Sequence, residues 1–153
     1  MIELVLWRHA EAEDGSPDLN RALTRRGQVQ AASMAEWLRP RLPDRVRIFV
    51  SEARRSQQTA AHLGKHAQVL PELNPDQPWE RVLSAIDWPE CGESLVVVGH
   101  QPWIGQVASQ LLTGTPTMLT IKKGAAWWFA RRQRQGDGQI LLRTVMMPSL
   151  LDG

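Results

Sequence analysis

Three short polar segments carry groups suited to anion chemistry, and each directly follows an apolar run. Arg8-His9 follows Ile2–Trp7, Ser51 through Arg55 follows Val46–Val50, and Gly99-His100 follows Leu95-Val96-Val97-Val98. An arginine fork matches phosphate bidentately, and an imidazole with a free lone pair is a nucleophile. If the three runs are parallel strands, their polar followers meet, because ligands of open parallel sheets bind beyond the strand carboxyl ends. Arg8, His9, Arg55 and His100 are therefore expected to converge on one crevice. Two guanidinium groups, two imidazoles and free helix N-terminal amides make a phosphate pocket. Phosphoryl transfer asks chiefly for positioning and charge stabilisation around a nucleophile. The surrounding cations favour the neutral, attacking form of imidazole.

The elements that must position these groups are legible in the apolar pattern. The unbroken, β-branched run Leu95–Val98 suits a parallel strand covered on both faces. A first helix is predicted from Thr24 as N-cap to Leu38, with Ala31, Met34, Ala35 and Leu38 on one face and Pro40 beyond its end. A second is predicted over about Glu52–Leu63 with Ser51 as N-cap and Gly64 as its stop, and a third over about Pro78–Asp87. A fourth begins with Pro102 in its first turn, buries Ile104, Val107, Ala108 and Leu111, and closes at Gly114. Ala125–Ala130 and Gln139–Val145 flank Gly136-Asp137-Gly138 and read as a hairpin, with the basic cluster Arg131-Arg132-Gln133-Arg134 at its polar turn. One hairpin strand then runs against the rest. The expected fold is a single α/β domain over residues 1–153: a three-layer α/β/α sandwich on a mostly parallel sheet with one antiparallel strand. The tail from Pro148 to Gly153 is expected to be loose.

The motifs resemble those of the histidine phosphatase superfamily, which is phosphoglycerate mutase-like in fold, and within it the small bacterial phosphohistidine phosphatase branch, SixA. The family's strand-Arg-His-Gly opening appears as Leu6-Trp7-Arg8-His9-Ala10. Its Ser-Pro-x-x-Arg-Ala-x-Gln-Thr motif appears as Ser51-Glu52-Ala53-Arg54-Arg55-Ser56-Gln57-Gln58-Thr59, and its strand-histidine motif as Val96-Val97-Val98-Gly99-His100. Leu23-Thr24 with Gly27 matches the start of the family's first helix. The matches are ordered and span nearly the whole chain. Three positions depart: Ala10 stands for glycine, Glu52 for proline, and Ser56 for alanine, where its hydroxyl offers an added contact. The resemblance implies that His9 is the nucleophile and that Arg8, Arg55 and His100 bind the phosphoryl oxygens. With two arginines and two histidines to supply the positive charge, no cofactor and no metal is expected. Family members that cleave esters use an acid on a later loop, for which Glu72 and Asp18 are the two candidates here; Arg21 is a candidate substrate anchor.

Larger members cover the site with insertions between the second and third motifs. Here forty-four residues, 56–99, separate Arg55 from His100, which is room for a strand, a helix and the next strand. An uncovered pocket favours a phosphohistidine-bearing protein, such as a phosphorelay or sugar-phosphotransferase carrier. A small-molecule phosphomonoesterase and a non-catalytic phospho-binding module are the alternatives.

The remaining features point to plainer roles. A net charge of +2 does not argue for nucleic acid, although fifteen of the eighteen bases are arginine. No apolar run approaches the roughly 18–20 residues that span a bilayer. The lone Cys91 excludes an intramolecular disulfide and suits a reducing cytoplasm; a monomer is expected. His62 and His66 have the i, i+4 spacing of paired metal ligands, but no third ligand is near, and a solvent-facing pair is expected. Trp127-Trp128 should point to opposite faces of a strand, one inward and one outward, with core packing as their role.

Overall fold

The computed structural model describes residues 1–132 and 138–152. Its elements in chain order are β1 (Ile2–Arg8), α1 (Arg25–Leu38), β2 (Arg47–Val50), α2 (Arg54–Ala61), β3 (Ala67–Val69), α3 (Trp79–Ile86), β4 (Leu95–Gly99), α4 (Trp103–Thr113), β5 (Ala126–Arg131), β6 (Ile140–Met146) and α5 (Pro148–Leu151). Single 3-10 turns lie at Asp18–Asn20 and Pro71–Leu73.

The strands form one sheet in the order β3-β2-β4-β1-β5-β6. β1, β2, β3 and β4 pair in parallel, β5 runs against β1, and β6 reverses again, so β5 alone opposes the rest. β4 is buried along all five residues, as its unbroken apolar run requires. Each face of the sheet carries its own core. Leu4, Leu6, Val97 and Phe129 pack under α3 and α4, while Val5, Trp7, Val96, Val98 and Trp128 pack under α1. Fully burying each such side chain contributes about 1.5–3 kcal/mol. These are the three layers read from the sequence.

The helix boundaries follow local chemistry with instructive differences. Thr24 caps α1 by accepting from the Gly27 amide, and Ala31, Met34, Ala35 and Leu38 are buried as their spacing predicts. Gly27 has to be glycine, because a Cβ there would lie 2.0 Å from the Glu11 carbonyl oxygen. Gly114 ends α4 in the left-handed conformation. Pro102 sits at the N-cap of α4, so the helix begins at Trp103, one residue after the predicted start. α2 begins only at Arg54, so Ser51 is not its cap; the Ser51 hydroxyl is taken by groups of the site.

Three expectations are corrected. The C-terminal tail is not loose: Pro148 opens α5 at a position where a missing N–H costs nothing, and Leu151 packs into the core beneath α1. His62 and His66 do not share a helical face, because α2 stops at Ala61; His62 is half-buried and its Nε2 donates to Gln28 Oε1 at 2.7 Å. Trp127 and Trp128 do point to opposite faces, but both faces are covered, and Trp128 packs edge-on against Trp37. The expected turn at 136–138 and the end of the basic cluster fall largely outside the described residues; the strands that flank them pair from Arg131–Ile140 to Ala126–Met146.

Candidate active site

Register alone brings the two histidines together. β1 and β4 pair with Trp7 opposite Val98 and Arg8 opposite Gly99, so the next residue on each strand, His9 and His100, stand side by side. Neighbouring strands lie about 4.8 Å apart, and the two ring centroids are 5.1 Å apart. The His9 amide extends the ladder by donating to the Gly99 carbonyl at 3.1 Å. This is also where the chain turns opposite ways, from β1 toward α1 on one face and from β4 toward α4 on the other, which is the switch point of an open α/β sheet. Gly99 is required here as well: a Cβ would lie 1.9 Å from the Trp103 ring, which packs across the strand end.

Each imidazole is held in a defined form. His9 is 7% exposed, and its Nδ1 lies 2.8 Å from the Ala10 carbonyl oxygen. A carbonyl only accepts, so Nδ1 carries the proton and the neutral ring keeps its lone pair on Nε2. Burial, together with the charges of Arg55, Arg8 and Arg21, lowers the His9 pKa to about 4 against the pull of the Ala10 bond. His100 Nε2 lies 2.7 Å from Ser51 Oγ, which also accepts from the Ala53 amide. Among the described residues the Ser51 hydroxyl proton has no other acceptor than His100 Nε2. The His100 proton is thereby placed on Nδ1, which is buried without a partner. Burial, then His9, Arg55 and Arg8, lowers His100 to about 2.

The two arginines are anchored at one end and open at the other. Arg55 is 4% exposed; its Nη1 donates to the Asp18 carbonyl at 2.9 Å and its Nη2 to Asp18 Oδ2 at 3.1 Å. Arg8 Nη1 donates to the Ile121 carbonyl at 2.8 Å, and burial lowers the guanidinium pKa. The Nε atoms of both are buried without partners among the described residues. With His100 Nδ1 they make three donors that only an added acceptor can satisfy. Such a set, on residues whose charges act on His9, has the chemistry to hold a tetrahedral oxyanion.

Of the two acids named from sequence, Asp18 reaches this centre and Glu72 does not bond to it. Asp18 also accepts from Arg21 Nη1 at 3.0 Å, so the carboxylate sits between two guanidinium groups. Burial pushes the Asp18 carboxyl up, but hydrogen bonds from Arg21 and Arg55 outweigh it and hold the group ionised below its ordinary range. A carboxyl stabilised as its anion is a poor proton donor. Arg21 is thus tied to Asp18 and to the Glu13 carbonyl. Glu72 lies half-buried on the 3-10 turn that follows β3.

The departures from the family pattern also find their places. Ala10 is fully buried, and its amide donates to Thr59 Oγ1 at 3.1 Å. Glu52 exchanges hydrogen bonds with Asn74. Ser56 offers no hydroxyl to a ligand: it donates to the Val98 carbonyl and accepts from the Ser51 amide, fastening α2 to β4. Ser51 and Thr59 were not singled out from sequence as site residues. Ser51 carried the available signal, since it follows β2 as His9 follows β1 and His100 follows β4.

Comparison with known proteins adds lineage to this geometry. A family model described as the histidine phosphatase superfamily (branch 1) matches residues 4–77. The phosphohistidine phosphatase SixA of Escherichia coli (strain K12) is 31% identical over 129 residues, covering 78% of this chain and 80% of that protein. The structure of a protein histidine phosphatase SixA complexed with tungstate superposes with a TM-score of 0.82 at 27% identity, over 99% of this chain and 100% of the other. A phosphoserine phosphatase from Entamoeba histolytica, in complex with 3-phosphoglyceric acid, shares the fold at a TM-score of 0.69 and 21% identity, over 95% of this chain and 96% of that one.

Proposed function

This chain belongs to the histidine phosphatase superfamily (branch 1), and from that premise we propose that its substrate is a protein phosphorylated on histidine. It is a histidine-nucleophile phosphatase. In the proposed reaction the lone pair on His9 Nε2 attacks phosphorus, and the P–N bond to the substrate imidazole breaks as that imidazole takes up a proton from solvent. A P–N bond to His9 forms in its place. Water then attacks the phosphohistidine and releases inorganic phosphate, returning His9 to its starting form. The Nε–H groups of Arg8 and Arg55 and the Nδ1–H of His100 hold the phosphoryl oxygens as charge builds on them. Ser51 fixes the His100 tautomer, and Asp18 orients Arg55.

The observation that carries the substrate reading is the lack of a cover among the described residues. Between Arg55 and His100 the chain builds β3, a 3-10 turn, α3 and β4, all parts of the sandwich, and no inserted element. A site with no inserted cap between Arg55 and His100 suits a phosphoryl group presented by a folded protein. The second support is chemical. A leaving imidazole needs little help from an acid, and the carboxylate nearest the site, Asp18, is engaged as an anion. The name of the E. coli relative agrees with this reading.

The test compares a histidine-phosphorylated protein with an alkyl phosphate, with and without EDTA, in wild type, Glu72→Gln and Asp18→Asn. The phosphoprotein is expected to be the far better substrate, with activity that survives the chelator, since arginines supply the positive charge. Glu72→Gln should slow it by only a few-fold. Equal turnover of the two substrates, with equal large losses in Glu72→Gln, would instead establish a general phosphomonoesterase.

A further inference from the structure

A second cationic site opens beside the crevice, and it shares Arg8 with it. A cavity of about 330 Å³ is lined by Arg8, Lys122, Lys123, Gln30, Thr120 and Ser149, among others. The three bases face no acid within this lining. Among the described residues neither lysine forms a salt bridge, while Arg21, Arg47, Arg55 and Arg143 each do. The sequence marks the spot too: the chain has three lysines against fifteen arginines, and two of the three are adjacent here.

The lysines sit on a loop fastened to the catalytic strand. The Gly124 amide lies 3.1 Å from both the Arg8 and His9 carbonyls, Arg8 Nη1 holds the Ile121 carbonyl, and Trp7 Nε1 donates to the Gly124 carbonyl at 3.0 Å. Gly124, at φ +76°, makes the turn that lets the loop lie this close. The backbone that carries Lys122 and Lys123 is therefore set relative to His9, while their long stems leave the ammonium groups free to reach.

Resting on the proposed protein substrate, we propose that this cavity seats acidic side chains that flank the phosphorylated histidine. Its volume suits one or two side chains and no folded element. Lysine is a flexible point charge, which fits a carboxylate whose position varies between partners better than the geometry-bound arginine fork. Carboxylates docked there would hold the flank of the phosphohistidine against Arg8 and raise encounter with acidic partners over neutral ones.

The test uses two synthetic phosphohistidine peptides, one with aspartates on both sides of the histidine and its twin with asparagines. Both are assayed at low and high salt with wild type, K122A/K123A and K122R/K123R. Wild type should prefer the acidic peptide by about tenfold in kcat/KM, through KM, with the preference shrinking in salt. K122A/K123A should lose that preference and K122R/K123R should keep most of it. Equal kcat/KM on the two peptides in wild type, or a preference that survives in K122A/K123A, overturns the proposal. So does a larger loss in K122A/K123A on a small bisphosphate ester than on the acidic peptide, which would assign the cavity to a second phosphoryl group. Wild type that turns over alkyl phosphates but neither peptide would overturn the protein-substrate reading itself, an outcome distinct because it requires no variant.

Discussion

The two ends of β1 are both polar and both largely buried, yet they follow opposite rules. At the amino end the Glu3 carboxylate accepts from Trp128 Nε1 at 3.1 Å and from Arg143 Nη1, the Glu3 amide donates to Ser94 Oγ, and Arg143 lies over the Trp128 ring. One acid meets one base, and Glu3, Trp128 Nε1 and Arg143 each have a partner. At the carboxyl end Arg8, His9, Arg55 and His100 bring two permanent cations together, and among the described residues only Arg55 meets a counter-charge, Asp18, which it shares with Arg21. Three buried nitrogens there go without partners among the described residues. A buried unmet donor costs about 1–3 kcal/mol, so a fold keeps several in one place only where a ligand will meet them. The network around Glu3 makes a structural joint, whereas three unpartnered donors on residues grouped at the other end are what a ligand would meet.

That contrast is best broken by variants that move activity without stability, or the reverse. The largest effect is expected for His9→Ala, which should lower turnover by about 10⁴-fold or more while the protein still melts cooperatively. Near-native turnover in that variant would remove the covalent mechanism. Next comes Arg55→Ala, with a loss on the order of 10²-fold in kcat/KM expected if its unpartnered Nε–H meets the phosphoryl group in the transition state. An unchanged kcat/KM would show that the unmet donors of this end are not functional.

The amino end should respond in the opposite sense. Glu3→Ala leaves Trp128 Nε1 and Arg143 without their acceptor, and should cost about 1–3 kcal/mol of stability in urea unfolding. Its kcat should stay within about twofold of wild type. A large loss of activity at native stability would mean that the two ends are coupled and the contrast false.

Acid supplies the finest test. His9 and His100 have folded values of about 4 and about 2, below the ordinary 6.5. The unfolded chain therefore binds these protons more readily than the folded one. The stability linked to the two imidazoles is present above pH 6.5 and drains away as pH falls through the window from 6.5 toward 4, His100 continuing lower. Each contributes a slope on the order of 1 kcal/mol per pH unit. Melting temperature should accordingly fall between pH 6.5 and 4.5 in wild type, and less steeply in His9→Ala. Equal slopes in the two proteins would show that His9 is not held neutral by its surroundings.

Five of the six described strands, the caps at Thr24 and Gly114 and the placing of Arg8, His9, Arg55 and His100 near strand ends were determined by the sequence itself, whereas the three-residue β3 was not. Each rests on local regularities: unbroken β-branched runs, a 3.6-residue apolar period, and polar residues placed where a strand must stop. What lay beyond it were partners set by register and by loops that fold back from afar. Ser51 carries a serine's ordinary helix-cap signature, and only the pairing of β2 with β4 turns its hydroxyl onto His100. Asp18 reads as one more loop acid until Arg55, thirty-seven positions away, closes on it and makes it an anion. Pro148 to Leu151 reads as a frayed end, because a four-residue helix has almost no periodicity of its own and exists through packing against α1. Periodicity is a property of neighbours in the chain, whereas hydrogen-bond partners and protonation states are properties of neighbours in space. The reactive groups were therefore legible one by one, and their tautomers, charges and open valences emerged only when the sheet set them side by side.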